Sequence, residues 1–156
     1  MKAAFIYNFL KFVDWPEGKK AKNSQTLVIG VLGEEPYKTI RTILQDKTAQ
    51  GFKIDVVQIK KEDLDHVKDV GHCDALFFSA TVKCDTEEIV KQLGQYQILT
   101  ISEKEGFLED GGMINIFIKD KKVYFEINKG VLEKSRLKLR SKMLRLAKKI
   151  IEDEDK

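Results

Sequence analysis

The most reactive side chains of this sequence are two histidines and two cysteines that lie close together along the chain. His66, His72, Cys73 and Cys84 are of the types that bind zinc, but the paired spacings typical of zinc motifs do not occur among them. A disulfide is also unfavourable, because a predicted strand at 75–78 separates the cysteines by roughly 20 Å, whereas a bridge needs Cα atoms about 6 Å apart. We therefore expect no metal site, two free cysteines and a buried Cys73.

Two glycine-containing loops carry adjacent carboxylates, the usual groups of general acid and base catalysis. Glu109 and Asp110 lie in the loop at 106–112, but adjacent side chains splay apart and no base accompanies them in a recognisable order. The loop at 30–36 follows a predicted strand, yet it lacks a GxGxxG motif and places two glutamates where a phosphate would bind. We expect a turn at 106–112, and neither catalysis nor a cofactor.

These loops connect strands and helices that alternate along the chain. A near-continuous apolar run at 27–32 predicts a strand that is buried on both faces, and 75–78 is a second, fully apolar strand. Two further strands are predicted at 54–59 and 98–101. Apolar residues at helical spacing lie between these strands, at 36–47, 62–70 and 89–93. This alternation predicts an α/β fold with three layers, in which a mostly parallel sheet is flanked by helices.

The last third of the chain departs from this alternation. Met113 to Ile118 and Val123 to Ile127 are two predicted strands joined by the short polar stretch 119–122, which indicates an antiparallel hairpin. Apolar residues between Met143 and Ile151 then cover an arc of roughly 160° on a helical wheel and predict a terminal helix. No linker is evident, so residues 1–156 are interpreted as a single domain.

Composition narrows the class of protein. A hydrophobic fraction of 42% and a charged fraction of 34% are typical of a soluble globular chain. The net charge of +3 is too small to predict nucleic-acid binding. No stretch reaches the roughly 20 apolar residues of a membrane-spanning helix, and the first residues lack the features of a signal peptide. If the protein is exported, we expect its signal peptide to be absent from this sequence.

Two segments have the character of interaction surfaces. Phe5, Phe9 and Phe12 form an aromatic stripe along a predicted N-terminal helix that ends at Trp15-Pro16. This helix either packs on its own domain or keeps part of its aromatic face for a partner. Between Lys134 and Lys149 there are eight basic residues and no acidic one, which favours a solvated helix face or contact with an acidic partner, a phospholipid surface or nucleic acid.

The carboxyl ends of the parallel strands are the usual place for a ligand in an open α/β sheet. Four polar residues are expected to meet there: Glu34, Ser79, Thr81 and Ser102. These residues do not identify a ligand, and serine and threonine are also common in ordinary loops. A small-molecule-binding sensor module is therefore the alternative to a protein-binding function.

The chain resembles the YfiR-like family of bacterial periplasmic proteins. Four stretches carry this resemblance, namely KAAFIYNF with Phe12 and Trp15-Pro16 (2–16), IGVLGEEPY (29–37), GF with GGMINI (106–116), and VYFEIN (123–128) with LKLRSKMLRLA (137–147). The resemblance implies a compact α/β domain, often a homodimer, that is exported to the periplasm and has no catalytic activity.

The resemblance also implies a function. The member that names the family represses a membrane-bound diguanylate cyclase through that enzyme's periplasmic portion, and so restrains biofilm formation through cyclic di-GMP. We accordingly expect the partner to be the ectodomain of such a cyclase or of another membrane-bound sensor. The residues expected to contact it are Phe5, Phe9, Phe12, Arg140 and Arg145.

Overall fold

A computed structural model describes residues 2–15, 26–66 and 70–151 of the chain. The strands are β1 (Val13–Asp14), β2 (Thr26–Leu32), β3 (Thr48–Ala49), β4 (Phe52–Ile59), β5 (Ala75–Phe78), β6 (Leu99–Ser102), β7 (Ile114–Lys119), β8 (Lys122–Asn128), β9 (Lys138–Leu139) and β10 (Lys149–Ile151). The helices are α1 (Lys2–Phe12), α2 (Glu34–Leu44), α3 (Thr86–Leu93), α4 (Lys129–Lys134) and α5 (Ser141–Leu146), with short 3-10 turns at Lys61–Asp65 and Gly94–Tyr96.

Eight strands form one sheet in the order β10-β8-β7-β6-β5-β2-β4-β3. β2 pairs in parallel with both β4 and β5, β5 with β6, and β6 with β7, whereas β7 and β8 are antiparallel. Each of the strands β5 and β6 is buried along its whole length. The sequence of β5 is entirely apolar, whereas β6 buries Thr100 and Ser102, whose hydroxyl groups form hydrogen bonds within the protein. The mostly parallel sheet and the hairpin are as predicted.

Separate apolar clusters cover the two faces of the sheet. On one face, α1 and α2 pack over the strands through residues such as Phe9, Leu10 and Leu44. On the other face, α3 packs through Ile89 and Leu93. The three layers predicted from the sequence are therefore confirmed, and they leave the carboxyl ends of the parallel strands at one end of the molecule.

The predicted terminal helix is correct only as far as Leu146. Ala147 is extended, Lys148 donates its backbone N–H to the carbonyl of Phe125 at 2.8 Å, and β10 pairs in parallel with β8. The outer edge of β8 offers unpaired backbone groups, and the β-branched residues Ile150 and Ile151 fit a strand better than a helix. These residues therefore add a strand to the edge of the sheet.

Three local features also differ from the predictions. The helix predicted at 62–70 is a 3-10 turn over Lys61–Asp65, and residues 67–69 lie outside the described part. The hairpin turn is shorter than predicted, because Asp120 and Lys121 adopt φ values of 52° and 64°, which are suited to a two-residue turn. The N-terminal helix, predicted to continue to Trp15-Pro16, ends at Phe12, because Val13 and Asp14 pair with β9 as a strand; Pro16 itself lies outside the described residues.

A small ribbon joins the two ends of the chain. β1 and β9 pair antiparallel, with Val13 opposite Leu139 and Asp14 opposite Lys138. Strands of two residues have no periodicity to detect, and both were absent from the sequence-based prediction. The ribbon holds α1 next to the segment that leads into α5.

Candidate functional site

The aromatic stripe of α1 divides into a buried part and an exposed part. Phe9 is 0% exposed, and its ring meets Phe125 edge-on at 5.0 Å between ring centroids. Phe5 contacts the same ring at 5.9 Å but remains half-buried, as does Phe12. Phe5 and Phe12 can therefore reach a partner, whereas Phe9 belongs to the core of the chain and cannot present its ring to one.

A group of lysines and aromatic rings lies on the outer side of α1. The Lys11 ammonium lies 5.0 Å from the ring centroid of Tyr7 and 5.7 Å from that of Phe12. Lys47 lies 5.9 Å from the Tyr7 ring, and Lys142 lies 5.2 Å from the Phe12 ring. We call Tyr7, Lys11, Phe12, Lys47 and Lys142 the basic-aromatic surface. Its ammonium groups are attracted to ring faces and still present positive charge to an anionic group.

Arg140 performs a structural task beside this surface. Its Nε donates to Asp14 Oδ1 at 2.9 Å and its Nη2 to Gln50 Oε1 at 3.3 Å. Gln50 in turn donates to the carbonyl oxygens of Leu10 and Val13, at 3.0 and 2.7 Å. This network connects the end of α1, the turn between β3 and β4, and the C-terminal segment. The Arg140 side chain is still 48% exposed, but its charge is paired with Asp14.

The polar residues predicted at the carboxyl ends of the strands form hydrogen bonds or ion pairs with residues that lie close to them. Ser79 Oγ and Thr81 Oγ1 are 3.0 Å apart. Ser102 Oγ donates to the carbonyl of Phe78 at 2.7 Å and accepts from the Lys104 backbone N–H at 2.9 Å. Glu34 projects outward and lies 3.8 Å from Lys38. The structure thus brings Ser79 and Thr81 together, whereas Ser102 and Glu34 each form other local contacts.

A pocket of about 510 Å³ lies at the same end of the sheet. It is lined by Lys2, Ala3, Glu35, Pro36, Thr39, Ile40, Phe77, Glu103, Ile118, Lys121 and Val123. At its rim Lys2 forms an ion pair with Glu103, which also accepts from the Ala80 backbone N–H at 3.2 Å. The pocket is of a size that holds small organic ligands.

The sequence did not reveal this pocket, since its wall comes from five separate segments. These are the first turn of α1, the first turns of α2, Phe77 of β5, Glu103 just after β6, and the tip of the β7–β8 hairpin. Prolines, threonines and isoleucines in those positions have no chemical signature. The nearest sequence signal was the position of Glu35 and Glu103 just after two parallel strands.

The histidine and cysteine region has no metal-binding geometry. Among the described residues no group of three metal-ligating side chains comes together. Cys73 is buried, as predicted, with its sulfur 3.9 Å from His72 Nε2, and Cys84 Sγ lies 3.8 Å from Thr86 Oγ1. The two described cysteines are not bridged to each other.

The acidic loop at 106–112 is a turn, as predicted. The backbone N–H of Asp110 donates to the carbonyl of Gly106 at 3.1 Å, and that of Gly111 to Leu108 at 3.0 Å. These bonds fix the chain just before the hairpin.

Over the described ranges, none of the helices combines the length and the apolar character needed to cross a bilayer.

Comparison with known proteins gives a family and a fold. The sequence profile of the YfiR/HmsC-like family matches residues 1–148. No curated protein sequence matches the chain significantly.

Two solved structures are similar in fold. One is a conserved domain protein from Vibrio cholerae O1 biovar eltor str. N16961, with a TM-score of 0.63 and 13% identity over 83% of this chain. The other is the ABC domain in complex with L-Trp from Streptococcus pneumonia, with a TM-score of 0.56 and 10% identity over 80% of this chain. The matched part spans 55% of each of those chains, and at such identities the likeness concerns the fold alone.

Proposed function

The chain belongs to the YfiR/HmsC-like family of periplasmic regulators, and we propose that it binds and represses a membrane-bound diguanylate cyclase. The observation that carries this proposal is the family match, which extends over residues 1–148 of the chain. The family is regulatory and not catalytic. In this proposal the protein acts in the periplasm, without a cofactor, and limits cyclic di-GMP synthesis and biofilm formation.

The basic-aromatic surface is the partner-binding surface in this proposal. Tyr7 and Phe12 provide half-buried aromatic area, which is enriched at protein interfaces. Lys11, Lys47 and Lys142 provide positive charge that is complementary to an acidic partner. Two further residues extend the surface, namely Phe5 near the start of α1 and Arg145 near the end of α5. Phe9 and Arg140 act indirectly, because the first supports α1 from beneath and the second holds its end in place.

Charge reversal on this surface tests the proposal. The periplasmic portion of a membrane-bound diguanylate cyclase from the same organism is titrated by calorimetry with the wild-type chain and with a Lys11→Glu/Lys47→Glu variant. We expect the variant to bind at least tenfold more weakly, since both reversals face the acidic partner. A Lys53→Glu/Lys83→Glu variant, with two exposed lysines outside the surface reversed, is the matched control. Equal loss in both variants would contradict this placement of the surface.

Repression itself needs a second readout. In cells, deletion of the gene should raise cyclic di-GMP and biofilm mass, and the wild-type gene should restore both, unlike the Lys11→Glu/Lys47→Glu variant. Unchanged cyclic di-GMP on deletion would overturn the repressor function. Light scattering of the same purified samples tests the homodimer that the family resemblance implies, and a monomer mass would exclude it.

The pocket of about 510 Å³ favours a second candidate function, that of a small-molecule sensor. Apolar side chains such as Ile40, Phe77 and Val123 would bury the body of a ligand, and charged groups at the rim would orient it. The fluorescent apolar probe anilinonaphthalene sulfonate tests this use of the pocket. We expect Thr39→Trp, which fills the pocket, to abolish a saturable signal that Thr42→Trp, one turn further along α2, retains. Equal signals from both variants would exclude the pocket.

A further inference from the structure

The two outer edges of the sheet are not equally protected. Along β4, the Gln45 side chain accepts from the Val56 N–H at 2.7 Å, and Asp63 accepts from the N–H of Lys60, just after the strand, at 2.9 Å. At the opposite edge, β10 pairs with β8, and no strand of the described ranges lies on its other side. The outer side of β10 can therefore take up another strand.

Apolar side chains are exposed beside this free edge. Leu146 at the end of α5 is 63% exposed, and Ile150 in β10 is 39% exposed. Ile150 is in register with Ile127 of β8, on the face of the sheet where α1 packs, and α5 packs on the same face through Met143 and Leu144. The free edge thus combines available backbone groups with uncovered apolar area on a firmly packed support.

The charge along this segment changes sign at its apolar centre. Lys148 and Lys149 precede Ile150-Ile151, and four carboxylates follow at 152–155, beyond the described residues. Lysines on an edge strand ordinarily discourage two like edges from pairing. In an antiparallel pair of copies, however, the lysines of each copy stand opposite the carboxylates of the other, whereas a parallel pair would place like charges opposite each other. The segment is therefore complementary to itself in one direction only.

We propose that β10 pairs antiparallel with β10 of a second copy of this chain, about a two-fold axis at the centre of the segment. An axis at Ile150 places Lys148 opposite Glu152 of the second copy. A shift of the axis by one residue keeps the charges matched, because it places Lys149 opposite Asp153. The exposed apolar side chains of the two copies then cover each other. Such a two-fold contact uses both edges at once and closes as a dimer.

A second copy fits this edge better than an unrelated extended peptide does. When a strand is added to a sheet edge, the backbone supplies affinity and the side chains supply specificity. The described part of β10 is only three residues long, so its side chains must decide the partner. A purely acidic or purely basic peptide would match only half of the charges at 148–155. The contact is small, so we expect a weak dimer. This inference concerns assembly and does not depend on the proposed repressor function.

Sedimentation equilibrium of the full chain, from about 10 µM to about 1 mM, tests the proposal. We expect the wild type to approach the mass of a dimer at the upper end of this range. Lys148→Glu/Lys149→Glu and Glu152→Lys/Asp153→Lys should each dimerise at least tenfold more weakly, because like charges then face each other across the two-fold axis. Both lysines are exposed, so thermal unfolding of the first variant should show the wild-type midpoint.

Mixing the two variants separates this surface from any other. An equimolar mixture should regain the dimer, since the acidic segment of one variant then faces the basic segment of the other. A Lys53→Glu/Lys83→Glu variant, with two exposed lysines elsewhere reversed, should dimerise like the wild type. A wild-type chain that stays monomeric at about 1 mM would overturn the proposal and leave the edge to another protein or to solvent. A dimer that both charge-reversal variants retain would overturn it as well, because the dimer must then form through another surface.

Discussion

The central strands and the segments that join the two chain ends are stabilised in different ways. β2, β5 and β6 lie between neighbouring strands, and β5 and β6 are buried at every position. The terminal unit, which we define as α1, β1, α4, β9, α5 and β10, contains two-residue strands and is tied together by the Arg140 network. Most of the basic-aromatic surface lies on this unit, with Lys47 as its one residue outside it. The proposed partner-binding residues thus occupy a region in which short strands and a polar network supplement the packing of α1.

The largest expected effect tests how strongly α1 of the terminal unit depends on the core that it shares with the sheet. Phe9→Ala should lower the free energy of unfolding by about 3–5 kcal/mol, because it removes a fully buried ring that contacts Phe125. Phe12→Ala on the same helix should cost only about 1 kcal/mol, since that ring is partly exposed. Urea unfolding followed by circular dichroism measures both. Similar losses of unfolding free energy in the two variants would contradict the division of the aromatic stripe into a buried and an exposed part.

In the central region, backbone constraint should produce the next largest effect. Gly33 has a φ of 117°, and a Cβ atom there would lie 2.6 Å from the Cβ of Ser79. Gly33→Ala should therefore destabilise the chain by about 1–3 kcal/mol in thermal or urea unfolding. Gly94→Ala is the control, because Gly94 is in a right-handed helical conformation with open space around it. A neutral Gly33→Ala would show that β2 and β5 can separate at low cost.

Two helix caps allow a matched comparison of the regions. Asp85 accepts from the Glu88 N–H at the start of α3, and Asn128 accepts from the Val131 N–H at the start of α4, both at 3.2 Å. Replacement of either by Ala should cost about 1 kcal/mol. In Asp85→Ala, the backbone amides should exchange their hydrogens faster throughout the protein. In Asn128→Ala, only the amides of the terminal unit should exchange faster. A general effect of both would mean that the two regions unfold together.

The smallest global effect is expected at Arg140. Its ion pair with Asp14 is half exposed, so Arg140→Gln should change the free energy of unfolding by less than about 1 kcal/mol. The amides of the β1–β9 ribbon should nevertheless exchange faster, because the network that holds it is broken. Arg145→Gln serves as the control and should leave ribbon exchange unchanged. Unchanged exchange in Arg140→Gln would remove the structural role assigned to that residue.

The central region was predictable because its information is local. Unbroken apolar runs such as 27–32 and 75–78 fit only strands that are buried on both faces, and the spacing of the helices between them completed the three layers. The hairpin was found for the same reason, from two strands and a short polar connection. Buried Cys73 followed from its place at the start of such a strand.

The terminal unit was less predictable because its elements form through distant partners. Residues 147–151 have a helical pattern of apolar residues, but the free edge of β8 makes them a strand. Arg140 was assigned to partner contact from charge alone, whereas Asp14 and Gln50 engage it in the folded chain. The sequence did not distinguish Phe9 from Phe5 and Phe12, because the burial of Phe9 depends on how α1 lies over the sheet. None of these partners can be identified from local sequence.

The contact between Arg140 and Asp14 joins residues that are 126 positions apart, which has a consequence for the order of folding. Closing so long a loop is entropically costly, and it cannot occur during synthesis before the last strands have left the ribosome. Until β8 has been synthesised, Phe5 and Phe9 lack the Phe125 ring against which they pack. The newly made chain therefore exposes the aromatic face of α1 for most of its synthesis, and a chaperone that binds aromatic helices early should improve its yield of folded protein.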